Sequence, residues 1–353
     1  MNTGLFYKDK PLFGLDVGSS SVKVMQIVTQ GKHQQIIGYG VADYDQKAVQ
    51  DGVIVDPLAL AKATKELFQK NIIGEITTRR VALSVPVART YNRVMTLPSM
   101  SKKDLDEAVR LEAEQYIPVA LEGLYIDYSI TTENKDGFEL LVVAVPKQII
   151  DSYVTYTNLL GLDICVLETT IGASSRLVAH AERNDIPTIL IDFGSLSADI
   201  TIFDKQLIVT GTVAGGGDTF TELIGEKLNV SKQVAHTIKT KYGLSVSKKQ
   251  HEIEEALKPI LNSLSKEIRK MLRYYNERTK TENKIGQIIT LGGGANLPGL
   301  SEFLTSELRM PTRMCIPWDS LSFGKLQPPN EVEKSLYITA AGLALINPGE
   351  IWK

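Results

Sequence analysis

The sequence predicts an α/β protein made of two related halves, with a smaller α+β unit inserted into the first. Three observations carry this. Residues 12–23, "LFGLDVGSSSVK", return at 188–199 as "TILIDFGSLSAD"; aligned on Asp16 and Asp192, they match again at Gly18/Gly194, Ser19/Ser195 and Ser21/Ser197. The copies stand 176 residues apart in a chain of 353, which is too long for one comfortable core. Between them, residues 87–165 have a strand, helix and hairpin pattern of their own.

In the first half, "PLFGLDV" and "VKVMQIV" alternate as strands on either side of the turn at Gly18–Ser21, and "QQIIGYGVADY" continues the sheet. Asp56 is placed to cap a helix that opens with Pro57, and Leu60, Ala63, Thr64 and Leu67 recur along it at helical spacing. "RRVALSV" at 79–85 reads as a further buried strand. In the inserted unit, "ARTYNRVMTL" reads as a strand, and Ser101 with Asp104 opens a helix whose stripe is Leu105, Val109, Ala113 and Tyr116. "LYIDYSITTE" and "GFELLVVAV" form a hairpin across "NKDG". A helix over 147–159 and the strand "LDICVLE" are expected to close the unit.

The second half restarts with the strands of "TILIDFGSLSADITIFDKQLIVTGTV", then a helix over Thr219–Leu228 after "AGGGD". Helical sequence follows over Ser231–Thr281, with a turn near "YGLSVS". "QIITLGGGANLPG" is a strand running into a glycine loop, with a helix from near Gly299 and a last buried helix in "LYITAAGLALI".

With 43% hydrophobic and 23% charged residues, the composition is that of an ordinary globular protein. A net charge of −2, from 39 basic and 41 acidic side chains, asks for no nucleic-acid partner. The most basic stretch, "KEIRKMLRYYNERTK" at 266–280, interleaves Glu267 and Glu277 and reads as a solvated helix face. Cys165 and Cys315 form no disulfide framework and are expected in cores, and the four histidines lack zinc-type spacing. There is no run of roughly 18 apolar residues and no secretory signal pattern, so a cytoplasmic protein is expected.

The repeated turn carries the chemistry. Gly18 lets the backbone approach an anion, the serines add donors, and Lys23 supplies a positive charge suited to phosphate. Asp16, at the strand end, is placed to hold waters on Mg²⁺. One such hairpin by itself reads more readily as a serine-rich surface turn. Two copies suggest a clamp, with two turns gripping a polyphosphate from opposite sides. The runs Gly215–Gly217 and Gly292–Gly294 each lie between a strand and a helix, where they serve as tight turns or as bare backbone for an anion or a ring. Neither GxxxxGK[ST] nor an intact GxGxxG occurs, which excludes P-loop and dinucleotide-binding readings.

In order along the chain, "GLDVGSSSVK", "LIDFGSLSAD", "AGGGDTFTELI" and "LGGGANLPGL" resemble the phosphate and adenosine loops of the actin-like ATPase superfamily. The implied fold is a duplicated actin-like (ribonuclease H-like) ATPase fold with an inserted α+β subdomain 1C. The insertion is similar to that of the bacterial branch holding the FtsA and PilM families. "LDEAVRLEAEQYIPVALEGLYIDY" and "VVAVPKQIIDSYVTYTNLLGL" resemble the PilM family in particular. The resemblance assigns 11–86 with 317–353 to subdomain 1A and 87–165 to 1C. It makes 166–186 the connecting helix, 187–228 with 285–316 subdomain 2A, and 229–284 the helical 2B.

The superfamily's phosphate contacts map onto Gly18, Ser19, Ser20, Ser21 and Lys23, then Gly194, Ser195 and Ser197, and the magnesium-ordering aspartates onto Asp16 and Asp192. Gly216 and Gly217 match the glycines beside the phosphates, and Gly292, Gly293 and Gly294 those under the adenosine. In the ribose-contacting helix Lys239 matches, while His236 stands in the place of a glutamate. Ser195 and Leu196 stand where other branches carry glycines. Glu168 matches an acidic residue that helps position the attacking water in related ATPases, and reads equally as a helix-start carboxylate.

The resemblance therefore implies ATP or ADP with Mg²⁺ as cofactors, and slow hydrolysis or none. It implies a cytoplasmic adaptor of the type IV pilus inner-membrane complex that binds the cytoplasmic N-terminal peptide of PilN. Further partners are other pilus inner-membrane components, the assembly ATPases and a second copy of the chain. FtsA-like proteins run longer and finish in an amphipathic helix; here the sequence stops at "INPGEIWK", so the membrane is expected to be reached through a partner. The alternatives are an FtsA-like filament-forming division scaffold and a small-molecule kinase of the same superfamily.

Overall fold

The computed structural model describes residues 10–31, 33–135, 137–182, 186–278 and 284–351. Residue 136 of the "NKDG" turn, residues 183–185 of the expected connecting segment, residues 279–281 of the expected helical stretch and the two C-terminal residues lie outside the described residues.

The first half opens with the antiparallel strands β1 (Phe13–Val17), β2 (Ser21–Gln30) and β3 (His33–Asp43). A short hairpin, β4 (Val49–Gln50) and β5 (Val53–Ile54), precedes α1 (Pro57–Lys70), where the Asp56 side chain accepts from the Ala59 N–H. The helix buries Leu60, Ala61, Thr64 and Leu67; Ala61 takes the place expected of Ala63 on the packed face. An edge strand, β6 (Ile73–Gly74), leads to β7 (Arg80–Val85), which is buried throughout and parallel to β1.

The chain then leaves for β8 (Tyr91–Leu97), α2 (Lys102–Tyr116), β9 (Leu124–Asn134) and β10 (Gly137–Pro146). These strands form a separate antiparallel sheet in the order β8-β10-β9, with Leu105, Val109 and Leu140 in its own small core. The next two elements, α3 (Lys147–Leu160) and β11 (Asp163–Thr169), do not close this unit, contrary to the sequence expectation for 87–165. Instead β11 pairs in parallel with β7, and Ile149, Tyr153 and Tyr156 of α3 are buried in the core of the first sheet. The physical reason is coverage. Beside β7 the strand extends a sheet already covered by α1 and α3, whereas at the edge of the inserted sheet its Ile164 and Leu167 would lose that packing.

The helix α4 (Thr170–Ala181) links the halves. The second half repeats the plan with β12 (Thr188–Phe193), β13 (Ser197–Asp204) and β14 (Gln206–Ala214), then α5 (Gly217–Leu228), α6 (Lys232–Lys241) and α7 (Gln250–Arg278). It continues with β15 (Gln287–Leu291), α8 (Leu300–Leu308) and β16 (Thr312–Met314) before the short α9 (Glu331–Lys334) and the last helix α10 (Ile338–Ala344). The sheet orders are β11-β7-β1-β2-β3-β6 and β14-β13-β12-β15-β16, so a central strand has an antiparallel hairpin partner on one side and a parallel strand on the other in both. This is the duplicated actin-like fold.

The exposed positions Lys266, Arg269, Lys270 and Arg273 make the solvated face expected of α7, opposite buried Leu264, Ile268, Met271 and Tyr275. Cys315 is buried, while Cys165 is only half-buried. The two halves share a core: Met25, Ile36 and Tyr39 from the first sheet and Leu190, Ile289 and Leu291 from the second meet Leu177 of α4 and Ile338, Ala340 and Ala341 of α10. Two glycines set how closely α10 lies. A Cβ on Gly14 of β1 would stand 2.1 Å from the Ala340 carbonyl oxygen, and one on Gly342 of α10 would stand 1.9 Å from that of Ala173 on α4.

Candidate functional site

The two repeated hairpins meet at their tips. In each, the glycine N–H closes the turn onto a serine carbonyl, Gly18 to Ser21 at 3.0 Å and Gly194 to Ser197 at 2.9 Å. The equivalent hydroxyls of Ser19 and Ser195 are in hydrogen-bond contact across the gap between the halves. Ser20 stands at the first tip beside Ser19, half-buried.

Behind the first tip, the register of β1 and β2 sets Asp16 opposite Lys23. Lys23 Nζ donates to Asp16 Oδ2 at 3.3 Å, Ser84 Oγ donates to Asp16 Oδ1 at 2.7 Å, and the two charges are 8% and 6% exposed. The ammonium lies against the turn, since a Cβ on Gly18 would be 2.5 Å from Nζ. A lysine has three donors, and the carboxylate takes one, leaving the others for an anion at the tip.

Behind the second tip stands a different pair. Asp192 faces Asp199 across β12 and β13, at the places that Asp16 and Lys23 hold in the first hairpin. Ser174 Oγ donates to Asp192 at 3.1 Å and Thr212 Oγ1 to Asp199 at 2.7 Å. Burial raises the Asp192 carboxyl from 3.8 to about 6; Asp16 adds to the rise while Lys23 opposes it, so the hairpins feel each other's charge. Burial likewise raises Asp199 to about 7, with Asp192 adding to it. In the folded protein both groups keep protons that the unfolded chain releases near 3.8. Their contribution to stability is therefore full below about pH 4 and is lost as pH rises to about 7. Asp199→Asn is expected to flatten that loss and to raise the stability of the nucleotide-free protein at about pH 8 by about 1 kcal/mol. Thermal melts of both proteins at about pH 5 and about pH 8 check it, and equal slopes overturn it.

The glycine runs supply the floor. Gly215 has φ +116°, and the N–H groups of Gly217 and Asp218 at the start of α5 donate to the carbonyls of Gly194 and Ser195, both at 2.9 Å. A Cβ on Gly216 would be 2.3 Å from the Gly194 oxygen, and one on Gly292 would be 2.4 Å from Asp192 Oδ1, so both positions require glycine. A Cβ placed on Gly217 lies 3.7 Å from Gly294 Cα and 3.8 Å from Lys239 Nζ. Gly293, beside Leu336, completes the loop. Lys239 Nζ donates to the Gly217 carbonyl at 2.6 Å, and burial lowers its proton affinity. Next to it a cavity of about 390 Å³ is lined by Asp218, Thr221, Lys232, Gln233 and His236. A second cavity of about 360 Å³, under Val178, Leu190 and Phe203, lies toward the Thr188 end of β12.

The donors suit a magnesium nucleotide. Among the described residues no group of three or more His, Cys, Asp or Glu side chains forms a direct cage. Asp16, Asp192 and Asp199 are hard oxygen donors, and each is met by a hydroxyl. That suits Mg²⁺, which keeps waters and takes phosphate oxygens.

Glu168 stands just ahead of α4 in an ion pair that neither sequence reading includes. It lies beside Ser84 in the sheet, but both carboxylate oxygens are taken by Arg176, at 2.6 and 2.7 Å. Sequence reasoning missed Ser84, Ser174, Thr212 and Asp199. The first three give no motif signal, but the two repeats end on Lys23 and Asp199, and that mismatch marks the acid.

Residues 14–347 match the family described as type IV pilus assembly protein PilM. The chain belongs to the PilM family. Around this PilM-family chain stand other actin-like proteins. The solved structure "PilM-PilN type IV pilus biogenesis complex" superposes with a TM-score of 0.81 at 24% identity, covering 97% of this chain and 99% of that one. MreB5 of Spiroplasma citri bound to AMPPNP superposes at 0.52 and 15% identity, over 94% of each chain. Cell division protein FtsA of Streptococcus pneumoniae serotype 2 is 24% identical over 348 residues, 86% of this chain and 75% of that protein.

Proposed function

We propose that this chain is an ATP-binding adaptor of the type IV pilus inner-membrane complex that binds the cytoplasmic N-terminal peptide of PilN. The observation that carries the nucleotide is the meeting of the two hairpins at Ser19 and Ser195, with Lys23 behind one tip and Asp192 behind the other. Family membership supports the pilus role, and a related PilM solved together with PilN supports the partner. Among the described residues no helix is long and apolar enough to cross a membrane, and in this reading PilN brings the chain to it.

ATP or ADP would be held between the hairpins. Lys23, the tip serines, Gly216 and Gly217 would hold its phosphates, Asp16 and Asp192 would order the waters of Mg²⁺, and Lys239 with Gly292, Gly293 and Gly294 would receive the nucleoside. Mg²⁺, when bound, would supply charge neutralisation for Asp192 and the phosphates. Phosphoryl transfer depends on positioning, and Glu168 is engaged by Arg176, so hydrolysis is slow or absent and the nucleotide is structural. The PilN peptide lies extended along the seam between the first half and the inserted unit. There Tyr125 donates to Asp151 of α3 at 3.1 Å, and Tyr125 and Val154 expose apolar surface.

ATP closing the halves would tighten that seam. Calorimetry with a synthetic PilN N-terminal peptide is expected to show about fivefold tighter binding with Mg-ATP than without. Equal affinities remove the coupling, and absence of binding in both removes the partner.

A further inference from the structure

We propose that Tyr44 is the positioning residue of the first phosphate-gripping hairpin, and that the arm it opens, residues 44–54, carries the state of that hairpin to the base of the inserted unit. The inference rests on the nucleotide reading above and assigns it a residue and a route.

A hairpin tip with one closing hydrogen bond is loosely held, and Tyr44 secures this one from outside at two points. Its N–H donates to the Ser20 carbonyl at 3.0 Å, and its hydroxyl donates to the Gly18 carbonyl. A trans peptide sets C=O and N–H on opposite sides. Turning the Gly18 carbonyl onto Tyr44 therefore turns the Ser19 N–H away from it, as a donor for an anion.

The arm then touches two other parts of the molecule. The Gln46 amide donates to Asp218 at 3.3 Å, in the first turn of α5, so the arm reaches the second half where its helix meets the second hairpin. At the far end the tip of the β4–β5 hairpin docks on the base of the insertion. Asp51 pairs with Arg89, and a Cβ on Gly52 (φ +83°) would be 3.3 Å from Arg89 and 3.4 Å from both Ile149 and Pro86. The Ile54 N–H donates to Ser152 Oγ of α3 at 3.1 Å. Pro86–Arg89 is where the chain leaves β7 for β8.

A phosphate group placed between the tips has to part the Ser19 and Ser195 hydroxyls. The first hairpin then shifts with Tyr44 attached, and the arm shifts with it.

Tyr44→Phe removes one oxygen and leaves the ring. The variant is expected to melt within about 2 °C of the parent without nucleotide, yet to exchange its Ser19–Ser21 amides faster and to bind Mg-ATP about tenfold more weakly by calorimetry. The change that Mg-ATP produces in amide exchange over Tyr91–Leu97 is expected to shrink in Tyr44→Phe. It is expected to shrink also in Gln46→Ala, whose hairpin exchanges as in the parent. Unchanged Ser19–Ser21 exchange in Tyr44→Phe overturns the assignment of Tyr44, and an undiminished β8 response in both variants overturns the route. If the parent binds no Mg-ATP, the nucleotide reading and the route fall together; Ser19–Ser21 exchange without nucleotide then still decides whether Tyr44 holds the hairpin.

Discussion

Lys23→Ala is expected to weaken Mg-ATP binding about 100-fold, because it removes the buried ammonium nearest the first tip. At about 100 times its dissociation constant a ligand stabilises the parent by about 2.7 kcal/mol; the same concentration would equal the variant's constant and stabilise it by only about 0.4 kcal/mol. The thermal shift produced by ATP should almost vanish. Lys23 also neutralises Asp16 at 3.3 Å, so the alanine variant starts from a lower melting temperature and each protein is compared with its own nucleotide-free state. The double variant Asp16→Asn, Lys23→Met removes both charges and spares the fold an unpaired buried carboxylate. Equal ATP shifts in parent and both variants would show that the polyphosphate is held elsewhere.

The second large effect concerns the joint between the halves. Gly342→Ala puts a methyl group 1.9 Å from the Ala173 carbonyl oxygen, and the backbone of neither helix can rotate out of the way. Helix α10 must then move off α4, opening a core fed by both sheets. Overpacking of this kind costs typically 1–3 kcal/mol, and the upper end is expected here, a fall of roughly 4 °C for a chain of this size. Gly123→Ala is the control, since a Cβ there meets nothing within 4 Å. Identical melting of the two variants would mean that α10 does not lie as closely on α4 as described.

The parts of the site legible in the sequence are those written within a few neighbouring residues. A strand ending in Asp-x-Gly-Ser needs only its own turn to bring Gly18 and Ser21 together, so each hairpin is visible in isolation and the repeat makes both conspicuous. Helix caps behave likewise: Asp56 and Ser101 accept from N–H groups three residues on. Lys239 was found through family resemblance, and its contact to Gly217, 22 residues away, depends on how α6 packs on α5.

What failed was assignment that needs a competitor. The strand β11 has the same pattern whichever sheet it joins, and only the exposed β7 edge beside buried α3 decides between them. Glu168 reads from the sequence either as a water-positioning acid or as a helix-start carboxylate, and its ion pair with Arg176, eight residues on, depends on a helix rotation that the sequence does not reveal.

By itself the sequence determined that this chain has two matched halves, a turn for anions in each, glycine loops behind them, and membership of the PilM family. Tertiary structure alone decided that the two tips touch, that the acids of the second hairpin are buried, and which partners each charge takes. The division has one physical cause. Turns and caps are closed by hydrogen bonds between near neighbours, whereas burial, and with it every shifted proton affinity in the cleft, depends on strands and helices brought together from both ends of the chain.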